Sequence, residues 1–220
     1  MSGAHDLTIS PTDFASLLCS RLCHDLLSPV GALNNGLELL ADERDPAMRA
    51  RCLELLSESA KVSANKLKFF RLAFGAAGGF GDSVDAREAR AAIGGLFGEN
   101  HRVTLGWMVE EETLPKGAVK VLLNLALIAG DALVRGGQLD IGAELVAGHI
   151  EIVVRAEGPR IILDDELRAA LAGAGSDALP APRTAAAHLA RALVTENGGS
   201  LRVSEPDAPV LMFGVVFTAA

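Results

Sequence analysis

Lysine and arginine are in short supply, 20 against 28 Asp and Glu, which leaves a net charge of −8 and a pI near 5.1. A nucleic-acid surface needs clustered basic side chains to displace counterions, so no nucleic-acid partner is expected. Long apolar runs are missing too. The longest uncharged one, Val121 to Gly130, falls well short of the roughly 20 residues that span a bilayer. The opening Met-Ser-Gly-Ala-His-Asp lacks the basic-then-apolar pattern of a signal peptide. No membrane partner is expected, and the cytoplasm is the expected compartment. Cysteine is sparse: Cys19, Cys23 and Cys52 are odd in number and form no C-x-x-C, which excludes a closed disulfide framework. Cys19, Cys23 and His24 would make three metal ligands, but a fourth at zinc spacing is missing. Small, half-buried apolar residues are the plainer reading, and no metal site is expected. Tyrosine is absent altogether, which decides nothing about function. Apolar residues, by contrast, make up 50% of the 220, ample for a core in one domain or two modest ones.

Two long helical patterns come first. Pro11-Thr12-Asp13 offers a helix start. Leu18, Leu22, Leu26, Pro29, Leu33, Leu37 and Leu40 then repeat at steps of three and four, a heptad-like seam. Asp42 to Asp45 form a turn, and Pro46 suits the first turn of a second helix. That helix carries Leu53, Leu56, Ala60, Ser63, Leu67, Phe70 and Phe74. One antiparallel hairpin cannot bury both seams, and a second copy would complete a four-helix bundle. A homodimer is therefore expected.

The rest of the chain alternates. Helices are expected at 86–98, from Pro115 to Gly136-Gly137, from Asp164 to Leu171 and at 184–196. Strands are expected at 103–109, 139–146, 149–156, 201–203 and 210–217. This is an α+β sandwich with hairpin-type connections and helices on one face of a sheet. The domain plan is a tail at 1–11, a hairpin at 12–75, a linker at 76–86 and an α+β domain at 87–220.

The chemistry concentrates at His24-Asp25-Leu-Leu-Ser28-Pro29. On an ideal helix the seam leucines lie roughly 140–220° around from His24, so the imidazole faces solvent. Leu17, Leu27, Ser28, Gly31, Asn35 and Glu38 fall within roughly 60° of it, an accessible groove fit for another protein's helix or loop. A solitary surface histidine is ordinarily just solvated, and His5, His101, His149 and His188 are read that way or as packed. His24 differs in its company. Asp25 can hold one ring N–H and leave the other nitrogen free as a nucleophile. Pro29 removes the helix N–H that would bond the Asp25 carbonyl and favours a bend just past the histidine. A proline inside a helix costs about 3 kcal/mol, so its presence asks for a reason.

The same segment resembles the phosphoacceptor box of sensor histidine kinases, H-[ED]-x-x-x-P on the first helix of a dimeric hairpin. The C-terminal half is similar to the ATP-binding (Bergerat-like) domain of those kinases, with its nucleotide contacts replaced. Asn124-Leu-Ala-Leu-Ile128-Ala129 has Ile128 where the resemblance implies a magnesium-holding Asn. Ala156-Glu157-Gly158-Pro159-Arg160-Ile161 has Ala156 where an adenine-binding Asp belongs and Arg160 where a glycine does. Thr184-Ala185-Ala186-Ala187 stands in place of the phosphate-covering glycines. Isoleucine cannot coordinate an ion and alanine cannot accept a hydrogen bond from adenine, so no ATP binding is expected.

A histidine hairpin joined to such a domain resembles the dimeric histidine phosphotransferases called ChpT. Leu17 to Gly31, Lys66 to Gly75 and Val121 to Leu125 carry the likeness most strongly. The resemblance implies a phosphorelay carrier without ATP. It would pass a phosphoryl group between the receiver domain of a CckA-like hybrid histidine kinase and CtrA-like and CpdR-like response regulators. It would need no cofactor of its own, because the partner receiver brings the Mg²⁺. His24 and Asp25 would be catalytic, with Ser28 and Pro29 supporting. Leu27, Gly31, Asn34, Asn35 and Glu38 on the first helix, and Glu58, Lys61 and Asn65 on the second, would dock the partner. Two other readings exist. A working kinase would bind Mg–ATP, and a non-catalytic dimeric adaptor would bind response regulators without carrying phosphate.

Overall fold

The computed structural model describes residues 9–75, 82–97, 102–173 and 180–218. Two long helices open it, α1 (Pro11–Asp42) and α2 (Pro46–Ala73). Ser10 caps α1 by accepting the Asp13 N–H at 3.1 Å, with Pro11 at the first helical position, one residue ahead of the expected start. Asp45 caps α2 through the Ala47 N–H at 3.0 Å, again with a proline next. Proline fits there because its missing N–H would be unpaired in any case. Arg49 closes the hairpin by donating to the Leu40 carbonyl at 2.9 Å and the Glu43 carbonyl at 2.8 Å, two acceptors at the end of α1 that the helix leaves without N–H partners. Gly36 lets the helices approach. A Cβ there would stand 2.8 Å from Leu56 Cδ2.

The remaining elements are β1 (Ser83–Asp85), α3 (Ala86–Phe97), β2 (Val103–Val109), β3 (Thr113–Pro115) and α4 (Lys116–Ala132). After these come β4 (Gly137–Val146), β5 (His149–Glu157), α5 (Asp165–Ala172), a single 3₁₀ turn (Pro182–Thr184), α6 (Ala185–Glu196), β6 (Ser200–Val203) and β7 (Leu211–Thr218). The architecture is α+β, as expected: a helical pair followed by one sheet with helices on one face. Three features depart from the sequence reading. A short antiparallel ladder joins β1 to β3, and the five-stranded sheet, ordered β2-β4-β5-β7-β6, pairs β2 with β4 in parallel. A parallel neighbour requires a crossover, and α4 supplies it, so the connections are not all hairpins. The helix expected to reach Gly136 stops at Ala132.

Strand alternation sets which face is buried. Ile150, Ile152, Val154 and Ala156 of β5 point inward, as do Leu211, Phe213, Val215 and Phe217 of β7. Register pairs Ile141 with Val154 and Val154 with Phe213, so large apolar side chains line up across the sheet. The β4–β5 turn at Ala147-Gly148 has φ of 50° and 82°, the two positive values of a primed hairpin turn. On the inner face α4 is buried nearly all round, from Ala118 to Ala132, as befits a helix apolar on every side. Gly130 admits the Phe97 ring, into which any Cβ there would run.

The end of α2 belongs to this core. Phe69, Phe70, Leu72 and Ala73 are buried in the same cluster as α4 and the sheet. The hairpin is therefore anchored in the C-terminal domain by its own last turns. Among the described residues no helix is long and apolar enough to cross a membrane. Phe69→Ala, at a fully buried site, is expected to cost about 3–5 kcal/mol, read as a lowered urea midpoint in circular dichroism at unchanged slope.

Candidate functional site

Helix α1 continues through Pro29 without interruption, so the bend expected after the histidine is not a break in the helix. The carbonyl that Pro29 leaves without a partner is that of Asp25, four residues back. Lys66 of α2 reaches across the hairpin and donates to it at 2.8 Å. A lost N–H is thus replaced by an ammonium from the neighbouring helix, and Pro29 itself is buried.

Around this point the side chains form a connected set. His24 projects into solvent with 82% of its side chain exposed. Its Nδ1 lies 3.2 Å from Asp25 Oδ1. A carboxylate accepts and does not donate, so in the neutral ring this contact favours the tautomer with its proton on Nδ1, in which Nε2 carries the lone pair. The other Asp25 oxygen accepts from Arg21 Nε at 2.8 Å, and the same guanidinium donates to Asp131 Oδ2 on α4 at 2.9 Å. Burial works against the Arg21 charge, but the two carboxylates outweigh it and hold its pKa above the usual arginine value. A cleft of about 470 Å³ opens here, lined by Arg21, His24, Asp25, Asp131, Ala181, Pro182 and Arg183. One wall is α1 and the other comes from α4 and the 3₁₀ turn ahead of α6.

The expected docking residues are distributed along the hairpin rather than gathered in one place. Leu27, Ser28, Asn34, Asn35, Glu38, Glu58 and Lys61 are exposed. Gly31 has open space where a Cβ would project, and Asn34 donates to Glu38 at 2.9 Å. Asn35 and Glu38 line a shallow concavity near the hairpin tip with Leu39, Asp42 and Glu43. Asn65 turns away from the histidine. It sits against Gly95 in a separate cleft between α2 and α3. Leu17, expected in the open groove, is buried, on a helix that packs against α6 and the 3₁₀ turn as well as α2.

Sequence reasoning overlooked Arg21, Lys66, Asp131 and Arg183. The Arg21–Asp25 pair was within reach of the i,i+4 rule. The other three come from distant stretches, and nothing local marks them.

The positions at which the resemblance implied lost nucleotide contacts have specific surroundings. Ile128, Ala156 and Ala186 are packed in the main core. Thr184 is buried and donates through Oγ1 to the Ala181 carbonyl at 2.8 Å. Arg160 is exposed. Asn124, the asparagine retained from that motif, is fully buried and donates to the carbonyls of Ala73 at 3.1 Å and Lys120 at 2.8 Å. Here it ties the end of α2 to α4. Among the described residues no group of three or more His, Cys, Asp or Glu is placed to hold a metal ion.

Residues 86–209 match the family model described as the histidine phosphotransferase C-terminal domain. This chain belongs to that family. Protein phosphotransferase ChpT of Brucella abortus (strain 2308) is 42% identical over 142 residues, 63% of this chain and 64% of that one. The chain thus covers just under two thirds of that relative's length. A solved structure described as a bacterial phosphotransferase superposes with a TM-score of 0.83 at 30% identity, over 96% of this chain and 100% of that one. The likeness covers the hairpin and the α+β domain together, so the ChpT-type architecture extends over the described chain.

The contact between Lys66 and the Asp25 carbonyl has a measurable signature. Lys66→Met should cost about 1–3 kcal/mol, the cost of leaving a half-buried acceptor unpaired. Adding Pro29→Ala restores an N–H four residues on, and thermal melts should show the double variant recovering most of that loss.

Proposed function

We propose that this chain is a phosphorelay carrier that holds a phosphoryl group on Nε2 of His24. The observation that carries this reading is the geometry of the imidazole: mostly exposed, fixed at Nδ1 by Asp25, and with Nε2 free beside an open cleft. The donor is an aspartyl phosphate on a partner receiver domain. The Nε2 lone pair attacks phosphorus, the P–O bond breaks, and its electron pair returns to the receiver carboxylate. The ring, now substituted at Nε2 and still protonated at Nδ1, carries a positive charge, and the Asp25 carboxylate lies beside it. In the second half-reaction a receiver aspartate attacks the same phosphorus and the ring leaves neutral. Transfer of this kind needs positioning and charge neutralisation more than covalent chemistry. The receiver supplies the Mg²⁺, and this chain supplies the nucleophile, its orienter and a docking face. That face includes Leu27, Ser28 and Gly31 beside the histidine.

Two further points belong to the proposal. The chain works without ATP, a reading supported by the packing of Ile128, Ala156 and Ala186 into the core where a nucleotide would need polar contacts. It works as a homodimer, a reading supported by the apolar side chains the hairpin leaves exposed, Val30, Leu37, Leu53 and Leu67 among them. Leu37, Leu53 and Leu67 are seam positions, and a second hairpin would cover them. The natural partners are the receiver of a hybrid histidine kinase and the receivers of response regulators, by analogy with the ChpT family.

The test is to mix the purified chain with a phosphorylated receiver domain. Label is expected to appear on this chain, to be acid-labile and base-stable, and to be absent in His24→Ala. Label that survives in that variant would remove His24 from the mechanism. Light scattering should give about twice the 22.9 kDa chain mass, and Leu53→Asp, at an exposed seam site, should give the monomer mass while retaining the circular dichroism of the folded chain.

A further inference from the structure

Asp131 occupies an unfavourable place. It is the last residue but one of α4, where the helix carbonyls point outward and disfavour an acid. It is half exposed and pairs with Arg21. Arg21 in turn is 12% exposed and extends between two carboxylates, Asp25 on its own helix and Asp131 on the C-terminal domain. A guanidinium can meet two carboxylates at once through a rigid fork, and an ammonium on a flexible stem cannot do so with the same geometry. The order of contacts is then His24 Nδ1, Asp25 Oδ1, Asp25 Oδ2, Arg21 Nε, Arg21 Nη2 and Asp131 Oδ2, at 3.2, 2.8 and 2.9 Å across the three gaps. The Asp25 carboxylate would otherwise turn about its side-chain torsions. Held at Oδ2, it presents Oδ1 to the ring.

We infer that Arg21 and Asp131 are positioning residues that lock the Asp25 carboxylate, so that the C-terminal domain selects the His24 tautomer with Nε2 unprotonated. This rests on the proposed phosphotransfer for its consequence in rate, but not for its consequence in the ring. It gives the C-terminal domain a part in the chemistry that requires no nucleotide. The contact holds one carboxylate oxygen from 110 residues further along the chain.

Two measurements separate this role from a merely structural one. The first is the ¹⁵N spectrum of the imidazoles at a pH where the rings are neutral, with His24 assigned by its loss in His24→Ala. Wild type is expected to show mainly the Nδ1–H form at His24. Asp131→Asn and Arg21→Lys are expected to move it toward the Nε2–H form that free imidazole side chains prefer. The second is phosphoryl transfer from a labelled receiver. Both variants should lose roughly ten- to a hundred-fold in rate at saturating receiver with KM little changed, the signature of a misaligned nucleophile. The double variant should be no slower than the worse single one, because both act through Asp25. Asp131→Glu, which keeps the acid, should recover part of the rate.

Arg21 is nearly buried, and its variant can lose fold. Asp131 is half exposed, and its variant keeps the test decisive. An Asp131→Asn chain that melts as wild type and keeps both the wild-type ring spectrum and the wild-type rate overturns the inference. If wild type takes no label from any receiver, the phosphotransfer reading fails, and the ring spectrum alone still decides whether Arg21 and Asp131 set the tautomer.

Discussion

Pro29 takes a hydrogen bond out of α1, and Lys66 puts one back from α2. The exchange matters because of where it falls. The carbonyl involved is that of Asp25, the residue whose carboxylate touches His24. A backbone N–H would have tied this carbonyl to its own helix. The ammonium ties it to the neighbouring helix, so the seating of the histidine turn depends on how α1 and α2 pack. That packing in turn depends on the anchoring of α2, whose last turns lie in the core of the C-terminal domain. The position of one exposed imidazole is thereby connected to the buried core of the C-terminal domain.

The C-terminal domain keeps the sheet-and-helix frame that its sequence resembles while its interior is closed. Ile128, Ala156 and Ala186 fill space with apolar atoms, and the remaining asparagine, Asn124, serves as a bridge to the end of α2. The same domain also meets α1 directly, through Asp131 and through the 3₁₀ turn ahead of α6. Such a domain fixes the relation of its surface to the helix packed on it, because close-packed interiors transmit position with little give.

Much of the fold was legible in the chain. Seam leucines at three and four, capped prolines at 11 and 46, and alternating strands around Ala147-Gly148 led to the right elements in nearly the right places. The misses have physical causes. The β1–β3 ladder involves two three-residue strands, too short to show a period. The parallel pairing of β2 and β4 is a long-range choice that alternation within either strand does not encode. Leu17 was assigned to the open groove by its angle on the helix, and it is buried on a helix that the C-terminal domain meets. Asn65 was assigned to the histidine's side, and α3 takes it instead. Both errors come from treating the hairpin as if nothing but solvent and a partner surrounded it.

The sequence by itself determined that His24 sits on an amphipathic helix with its seam turned away, that Asp25 is its neighbour, and that the nucleotide-binding residue types are missing. The first two are properties of local order and periodicity, which three- and four-residue spacing records directly; the third is what the resemblance to kinase ATP-binding domains implies. Only the tertiary structure decided which groups complete the site. Lys66, Asp131 and Arg183 reach it from 41 or more residues away, and their arrival depends on how the core places α2, α4 and the 3₁₀ turn. No spacing rule carries that information, since it is fixed by which buried faces match across the whole domain.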